Sequence, residues 1–158
     1  MTMAERLLWL AEELSRQSRE IESATVERRA VSTAYYDYAV FHAVTSLCAA
    51  ELLGASAALK KTPEFERVYR ALDHKSLKAA FNAAPLNNSP ALKAIGERIV
   101  DLQSERIRAD YLPSGRLYKR SECDGLVQSA RIIMQALRDL SAQDRRTLAV
   151  YLIFKNRP

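Results

Sequence analysis

The stretch SPALKAIGERIVDLQSERIRADY, residues 89–111, has the clearest helical pattern in the chain. Ser89 followed by Pro90 is a common helix start, because the serine hydroxyl caps a free backbone amide and proline fits the first helical position. Apolar residues then recur at spacings of three and four, as on one face of an α-helix. They are Leu92, Ile95, Ile99 and Leu102. The stretch therefore predicts a long amphipathic helix with one buried face.

Helix starts of the same kind recur along the rest of the chain. They are Thr2 with Glu5, Thr62 with Pro63, and Ser141 with Asp144. We also predict a long helix from about residue 23 to residue 53, ending at Gly54, and another that begins near Ser121. The apolar run 148–154 fits a helix or a strand, and we favour a helix because the sequence holds no convincing strand to pair with it. The predicted fold class is all-α: a compact bundle of four to five helices with short additional helices, in a single domain over residues 1–158.

Composition limits the kinds of site that the chain can hold. Its 158 residues include 24 Lys and Arg against 19 Asp and Glu, and the net charge of +5 arises mainly from arginine, which binds phosphate and carboxylate groups bidentately. Two histidines and two cysteines are too few for most multi-histidine metal sites or for a disulfide framework, so no metal or cofactor is expected. The longest apolar run is far shorter than the roughly 20 residues of a membrane-spanning helix. We therefore expect a cytoplasmic protein without a membrane partner.

Arg106 is the most unusual position on the amphipathic helix. It continues the apolar stripe by one more step of four, and Asp110 follows at the next step, so both side chains are predicted to lie on the same face. A buried arginine is unfavourable unless it is paired. Two interpretations follow: the apolar stripe ends here, with Arg106 exposed or paired to a carboxylate such as that of Asp110, or its guanidinium lies at the rim of a cleft and binds a phosphate.

The second informative string is RRAVSTAYYDYAVFHA, residues 28–43. On a helix, several polar side chains of this string share a face with apolar side chains further along. The polar members are Arg29, Ser32, Thr33 and Tyr36. A face that is polar at one end and apolar at the other indicates a cleft beside a core. The alternative is that the tyrosines of this string pack in the core or in a dimer interface.

These two strings resemble those of a known family. Residues 28–43 are similar to the second-helix signature of HEPN domains, Arg-Ala-x-Ser-x-Ala-Tyr-Tyr…Phe-His, and residues 106–111 are similar to their later Arg-x-x-Ala-Asp-Tyr element. The resemblance implies an α-helical bundle that is commonly dimeric. Many HEPN proteins are metal-independent ribonucleases of toxin or defence systems. In these enzymes an arginine stabilises the transition state at phosphate, and a histidine a few residues later moves protons.

The sequence departs from the family's catalytic pattern at one position. Tyr111 follows Arg106 where the family places its histidine, and no histidine stands nearby. The resemblance makes Arg106 and Tyr111 the candidate catalytic residues, while free tyrosine, with a pKa of about 10, is a poor general base at neutral pH. Other HEPN proteins are non-catalytic partners of minimal nucleotidyltransferases. This chain holds no nucleotidyltransferase core, so such a partner would be a separate protein.

A basic segment directly follows Tyr111. Together with Arg106 and Arg108, it is predicted to form one positive surface that binds RNA phosphates, and Tyr118 is predicted to stack on a base. The basic residues of the segment are Arg116, Lys119 and Arg120. The alternative is a solvated loop whose cations point into water.

Two functional hypotheses follow from these patterns. In the first, a HEPN-like protein binds or cleaves RNA in a toxin–antitoxin or defence context, with Arg106 on the phosphate. The cleft around that phosphate would be shaped by Arg29, Tyr36, Asp110 and Tyr111. In the second, a non-catalytic dimeric helical module docks a separate partner such as a minimal nucleotidyltransferase. A homodimer is expected in either case.

Overall fold

The computed structural model of the chain describes residues 1–21, 24–35, 39–111 and 118–154. Within these ranges the regular elements are helices and no strand is present, which confirms the all-α prediction. The α-helices are α1 (Met3–Ile21), α2 (Ala24–Tyr35), α3 (Ala39–Leu53), α4 (Pro63–Tyr69), α5 (His74–Phe81), α6 (Pro90–Tyr111), α7 (Arg120–Arg138) and α8 (Ala142–Ile153). Short 3₁₀ helices cover Leu59–Lys61 and Leu86–Asn88. No helix in the described ranges has the length and apolarity needed to cross a membrane.

Local hydrogen bonds begin the helices where the sequence predicts. The Thr2 amide donates to Glu5 Oε2 at 2.7 Å, and the Glu5 amide donates to Thr2 Oγ1 at 3.2 Å, which is a reciprocal capping box. Thr62 Oγ1 accepts an amide of the first turn of α4 at 3.3 Å, and Ser141 Oγ does the same for α8 at 3.1 Å. The apolar run 148–154 is helical up to the end of α8, as predicted.

The long helix predicted over residues 23–53 corresponds to α2 and α3, and residues 36–38 between them lie outside the described ranges. α3 ends at Leu53. The next residue, Gly54, adopts a φ of 104°, and its amide donates to the carbonyl of Ala50 at 2.7 Å. Glycine reaches such a positive φ without the steric penalty that a Cβ brings, which explains why α3 ends here.

The contacts of the chain divide it into two compact units, each built from two chain segments. The first unit comprises Met1–His42 and Arg98–Gln135, and the second comprises Ala43–Glu97 and Ala136–Pro158. As a result, α3, α6 and α7 each contribute residues to both units.

In the first unit, α1 and α2 pack against each other through small and branched side chains. The completely buried ones are Ala11, Ala30, Val31 and Ala34. Alanine at a helix contact allows a close approach of the two helix axes. Further buried side chains of this unit come from α6 and α7, namely Ile99, Leu102, Ala130 and Ile133.

Polar side chains of α1 and α7 contact each other in the first unit. Ser15 Oγ donates to Asp124 Oδ1 at 2.5 Å, and Arg131 Nε donates to Glu12 Oε1 at 2.7 Å. The Ser15 side chain is buried, so its hydrogen bond is shielded from water. The Arg131–Glu12 pair is more exposed, and its contribution to stability is correspondingly smaller.

In the second unit, α5 and α8 pack around the 3₁₀ helix Leu86–Asn88. The buried ring of Phe81, at the end of α5, lies against Gly96 of α6. Arg145 of α8 donates from Nε to the Leu140 carbonyl at 3.1 Å and from a terminal nitrogen to the Arg138 carbonyl. Arg145 thereby satisfies carbonyl groups at the end of α7 that have no partner within the helix.

Both cysteines are free thiols in buried positions. Cys48 lies in the part of α3 that belongs to the second unit, and Cys123 lies in the first unit near the start of α7. Burial raises the pKa of the Cys48 thiol to about 12. At neutral pH this thiol therefore stays protonated and unreactive.

Candidate functional site

An open cleft of about 600 Å³ lies in the first unit, between residues of α1, α2 and α6. Its lining residues are Leu10, Thr25, Arg28, Arg29, Ser32, Thr33, Ala109 and Asp110. The volume falls within the range of about 300–1,000 Å³ that is usual for ligand sites. Six of the eight lining residues are polar or charged, so the cleft can hold a polar or charged ligand.

One face of α2 supplies most of this lining. Thr25, Arg29 and Ser32 stand four and three residues apart and therefore project from the same side of the helix. The opposite side carries the buried Ala30 and Ala34, which pack against the rest of the unit. The sequence predicts one helix face that is polar at its start and apolar further along; three of the predicted polar residues, Arg29, Ser32 and Thr33, line the cleft.

The two arginines of α2 differ in their surroundings. Arg28 is half-buried and donates from Nη1 to the carbonyl of Ala109 at 3.4 Å, near the end of α6. Arg29 is exposed, and no ion pair or hydrogen bond of its side chain is found within the described part of the chain. Arg28 therefore ties α2 to α6, while Arg29 presents its guanidinium to the cleft.

Arg106 and Asp110 form an ion pair one turn apart on α6. Arg106 Nε lies 2.7 Å from Asp110 Oδ2, and the exposed fractions of the two side chains are 10% and 29%. The ion-pair interpretation of Arg106 is therefore the one the structure shows. The buried guanidinium faces a carboxylate of its own helix, and the other interpretation, Arg106 on a phosphate, stays a prediction. Asp110, the outer member of the pair, lines the cleft.

Tyr111 is the last residue of α6 and is 72% exposed. The guanidinium carbon of Arg106 lies 5.5 Å from the centroid of the Tyr111 ring, which is a cation–π distance. Arg106 thus contacts both Asp110 and the next residue, Tyr111. Tyr111 does not belong to the cleft lining, but it directly follows Asp110, which does.

The predicted positive surface is only partly formed by the described residues. Arg108 is exposed, but its Nη1 donates to both carboxylate oxygens of Glu105, at 3.0 and 2.9 Å, so its charge is balanced. Lys119 is exposed, and its backbone amide donates to Glu122 Oε2 at 2.6 Å at the start of α7. Neither residue lines the cleft.

The structure contradicts the predicted stacking role of Tyr118. Its ring is 3% exposed, and its hydroxyl donates to the backbone carbonyl of Glu105 at 2.7 Å. Burial, followed by the nearby charge of Glu105, raises the pKa of the Tyr118 phenol to about 12. With no ring face open to solvent, Tyr118 packs within the first unit rather than serving as the expected platform for a base.

Three of the predicted site residues fall wholly or partly outside the described structure. Tyr36 and Arg116 lie outside the described ranges, and only the backbone of Arg120 is described, as the first residue of α7. Their predicted roles in RNA binding stay predictions.

Histidines and metal-binding groups do not come together at this cleft. His42 lies in α3 and His74 begins α5, and neither lines the cleft. Among the described residues, no three His, Cys, Asp or Glu side chains are grouped so that they could hold a metal ion. The groups that the cleft offers for chemistry are guanidinium, hydroxyl and carboxylate.

Sequence reasoning did not identify four of the lining residues. Thr25 stands four residues before the predicted Arg29, and Arg28 stands four residues before Ser32, so helical periodicity alone could have found both. Leu10 and Ala109 belong to other helices and reach the cleft only through tertiary packing. No local sequence pattern marks them.

The chain was compared with family models, curated proteins and solved structures. No family model, no curated protein and no solved structure matches the chain. What the cleft can bind follows from its own groups, which are two arginine side chains, three hydroxyl groups and one carboxylate.

Proposed function

We propose that the protein is HEPN-like and binds RNA through the cleft of its first unit, in a toxin–antitoxin or defence context. The observation that carries this proposal is Arg29, an exposed cation that lines the cleft without an ion pair in the described part of the chain. The two strings at residues 28–43 and 106–111 that resemble HEPN domains also supply most of the cleft lining.

The chemistry of the cleft favours a phosphate group. A guanidinium binds phosphate oxygens through two parallel hydrogen bonds, and neighbouring hydroxyl groups can donate further ones. Ser32 and Thr33 follow Arg29 by about one turn and line the same cleft, so their hydroxyls can supply such bonds. The net charge of +5 adds a long-range attraction for a polyanion.

RNA is the polyanion that the remaining groups favour. Single-stranded RNA presents unstacked bases that can stack on exposed aromatic rings, and its 2′-hydroxyl both donates and accepts hydrogen bonds. The exposed ring of Tyr111 and the carboxylate of Asp110 are neighbours in sequence and supply these two kinds of contact.

Binding is favoured over cleavage. Metal-independent cleavage needs an electrophilic group on the phosphate and a group that moves protons near neutral pH. Arg106 is engaged by Asp110, and the histidines do not line the cleft. The proposed role of the chain is therefore to hold RNA rather than to hydrolyse it.

The test is the affinity for a fluorescein-labelled single-stranded RNA, measured by fluorescence anisotropy at several salt concentrations. We expect the logarithm of the affinity of the wild-type protein to fall linearly with the logarithm of salt concentration. Arg29→Ala should weaken binding to all sequences alike and reduce the magnitude of this slope by about one. The proposal fails if Arg29→Ala binds as the wild type does.

Arg146→Ala is the matched control, because it removes the same charge from an exposed position on α8. We expect this variant to keep nearly the full affinity and the full salt slope. Equal losses in the two variants would mean that net charge, and not the cleft, determines binding.

A specific observation favours a second candidate, the dimeric interaction module. Large apolar side chains are exposed in the first unit on both α1 and α6; they are Trp9, Leu10, Ile107 and Tyr111. Exposed aromatic and aliphatic groups of this kind are typical of protein interfaces. A homodimer in light scattering that Ile107→Glu dissociates, together with no RNA binding at low salt, would support this candidate over the first.

A further inference from the structure

In a cleft that binds only phosphate, the carboxylate of Asp110 would oppose binding, because two anions repel each other. Its side chain is nevertheless the more exposed member of the pair with Arg106 and lines the same cleft as Arg29. A ligand that satisfies the whole cleft must therefore offer a hydrogen-bond donor as well as an anion.

Arg106 prepares Asp110 for such a contact. Its Nε lies 2.7 Å from Oδ2, and this ion pair positions the carboxylate at the cleft. An ionised carboxylate has about four acceptor positions on its two oxygens. The contact with Arg106 therefore leaves acceptor capacity on both oxygens for a ligand.

The four RNA bases differ in what they offer to a carboxylate. Guanine presents two adjacent donors, N1–H and the N2 amine, whereas cytosine and adenine each present one amine beside an acceptor nitrogen. Uracil presents one N–H between two carbonyl oxygens, which repel a carboxylate. Because Asp is an acceptor only, guanine is its best partner and uracil its worst.

We infer that Asp110 is a specificity-determining residue that selects guanine in single-stranded RNA, with the neighbouring Tyr111 ring stacking on that base. The inference rests on the proposed function, since it presumes RNA in the cleft. Arg29 supplies affinity through phosphate, which is the same for every sequence, and Asp110 supplies discrimination between bases. Arg106 is the positioning residue, because it acts through Asp110.

The test compares RNA pentamers that differ only in their central base, UUGUU, UUIUU, UUAUU, UUCUU and UUUUU, where I is inosine. Inosine keeps the N1–H of guanine and lacks its N2 amine. We expect the wild-type protein to bind the guanine pentamer about tenfold more tightly than the uracil pentamer, with inosine between them. Equal affinities for the five pentamers would overturn the inference and leave the proposed function standing. No binding of any pentamer at low salt would overturn both.

Two variants separate the roles within the cleft. Asp110→Asn should reduce the guanine preference to less than about threefold, because the amide has only one acceptor oxygen. Arg29→Ala should weaken binding of all pentamers while preserving their ratio. Retention of the full guanine preference in folded Asp110→Asn would overturn the inference. If thermal melting shows this variant to be unfolded, the inosine comparison on the wild type decides the question.

Discussion

At the scale of single residues, Arg106 and Asp110 share one ion pair but have unlike surroundings. The guanidinium is almost completely removed from water and also contacts the Tyr111 ring, whereas the carboxylate keeps part of its surface in the cleft. Such a pair adds little to stability as a whole, because both charges lose hydration. A larger change in the free energy of unfolding is expected when one partner of the pair is removed.

Arg106→Gln should lower the free energy of unfolding by about 2 kcal/mol. Breaking a fully buried pair costs about 3–5 kcal/mol, and the partial hydration of Asp110 reduces this loss. Urea denaturation followed by circular dichroism measures the change. Arg108→Gln is the matched control, because it removes an exposed arginine from a pair with Glu105 on the same helix, with an expected loss below about 1 kcal/mol. Similar losses in both variants would contradict the buried environment of Arg106.

Tyr118 makes stability depend on pH in the alkaline range. Burial and the charge of Glu105 raise the pKa of its phenol from 10.0 to about 12. Since this pKa is higher in the folded than in the unfolded state, the folded protein holds the proton more firmly. The stabilisation is complete below the unfolded pKa and is lost as pH rises through the folded pKa.

Tyr118→Phe removes the phenol, so the loss of stability that its deprotonation causes at alkaline pH should disappear. The variant should also lose about 1 kcal/mol at neutral pH, because the hydrogen bond to the Glu105 carbonyl is absent. Urea denaturation at neutral pH and across the alkaline range measures both effects. Tyr151→Phe, at an exposed position of α8, should leave both unchanged. An alkaline profile of Tyr118→Phe that matches the wild type would contradict this role.

At the scale of helices, the approach of α5 to α6 depends on the absence of a side chain. A Cβ at Gly96 would lie 2.6 Å from Cδ1 of Phe81 and 2.9 Å from its Cβ, closer than atoms can pack. The Phe81 ring is buried and cannot swing into solvent. Gly125 of α7 offers the opposite situation, since a Cβ there would meet nothing within 4 Å among the described atoms.

Gly96→Ala and Gly125→Ala should therefore change stability in opposite directions. Alanine favours a helix over glycine by about 1 kcal/mol, so Gly125→Ala should raise the free energy of unfolding by up to that amount. At Gly96 overpacking against Phe81 costs about 1–3 kcal/mol and outweighs the helix preference. Thermal and urea denaturation of both variants measure the difference. Stabilisation by Gly96→Ala would show that the α5–α6 contact is looser than described.

The helices were predictable where their signals are local. A capping side chain and the amide it accepts lie three residues apart, so Thr2, Thr62 and Ser141 mark helix starts without any knowledge of tertiary structure. α5 was not predicted, because it spans only 8 residues and its buried face consists of a single repeat, Leu77 and Phe81.

The cleft was only half predictable, because it needs more than one helix. Arg29 stands on a face that the sequence of α2 defines, whereas Leu10 reaches it only because α1 packs on α2. Tyr118 was misjudged because basic residues follow it directly in the sequence, and the carbonyl it contacts belongs to a residue 13 positions earlier. Periodicity within one element contains no information on such contacts.

At the scale of the whole molecule, the two units are interleaved along the chain. The first unit takes its residues from the beginning of the chain and from Arg98–Gln135, and the second takes Ala43–Glu97 and the end. No single cut of the chain separates one complete unit from the other. Each unit can therefore close only after chain segments far apart in sequence have met.

A fragment of residues 1–97 should consequently fail to fold. It contains α1 and α2 but lacks the parts of α6 and α7 that complete the first unit, and it lacks α8 of the second. We expect rapid proteolysis and no cooperative thermal transition for this fragment alone. Mixing it with residues 98–158 during refolding should restore protection to the extent that the segments associate. A sharp thermal transition of the isolated 1–97 fragment would contradict this expectation.

The burial of both thiols has a practical consequence for spectroscopy. Cys48 and Cys123 are shielded in the folded protein, and the raised pKa of Cys48 keeps it in the unreactive thiol form at neutral pH. Maleimide dyes should therefore not react with the native cysteines. They should label a single cysteine introduced at an exposed position such as Lys119. A dye at that position would report distances to labelled RNA without any prior removal of native cysteines.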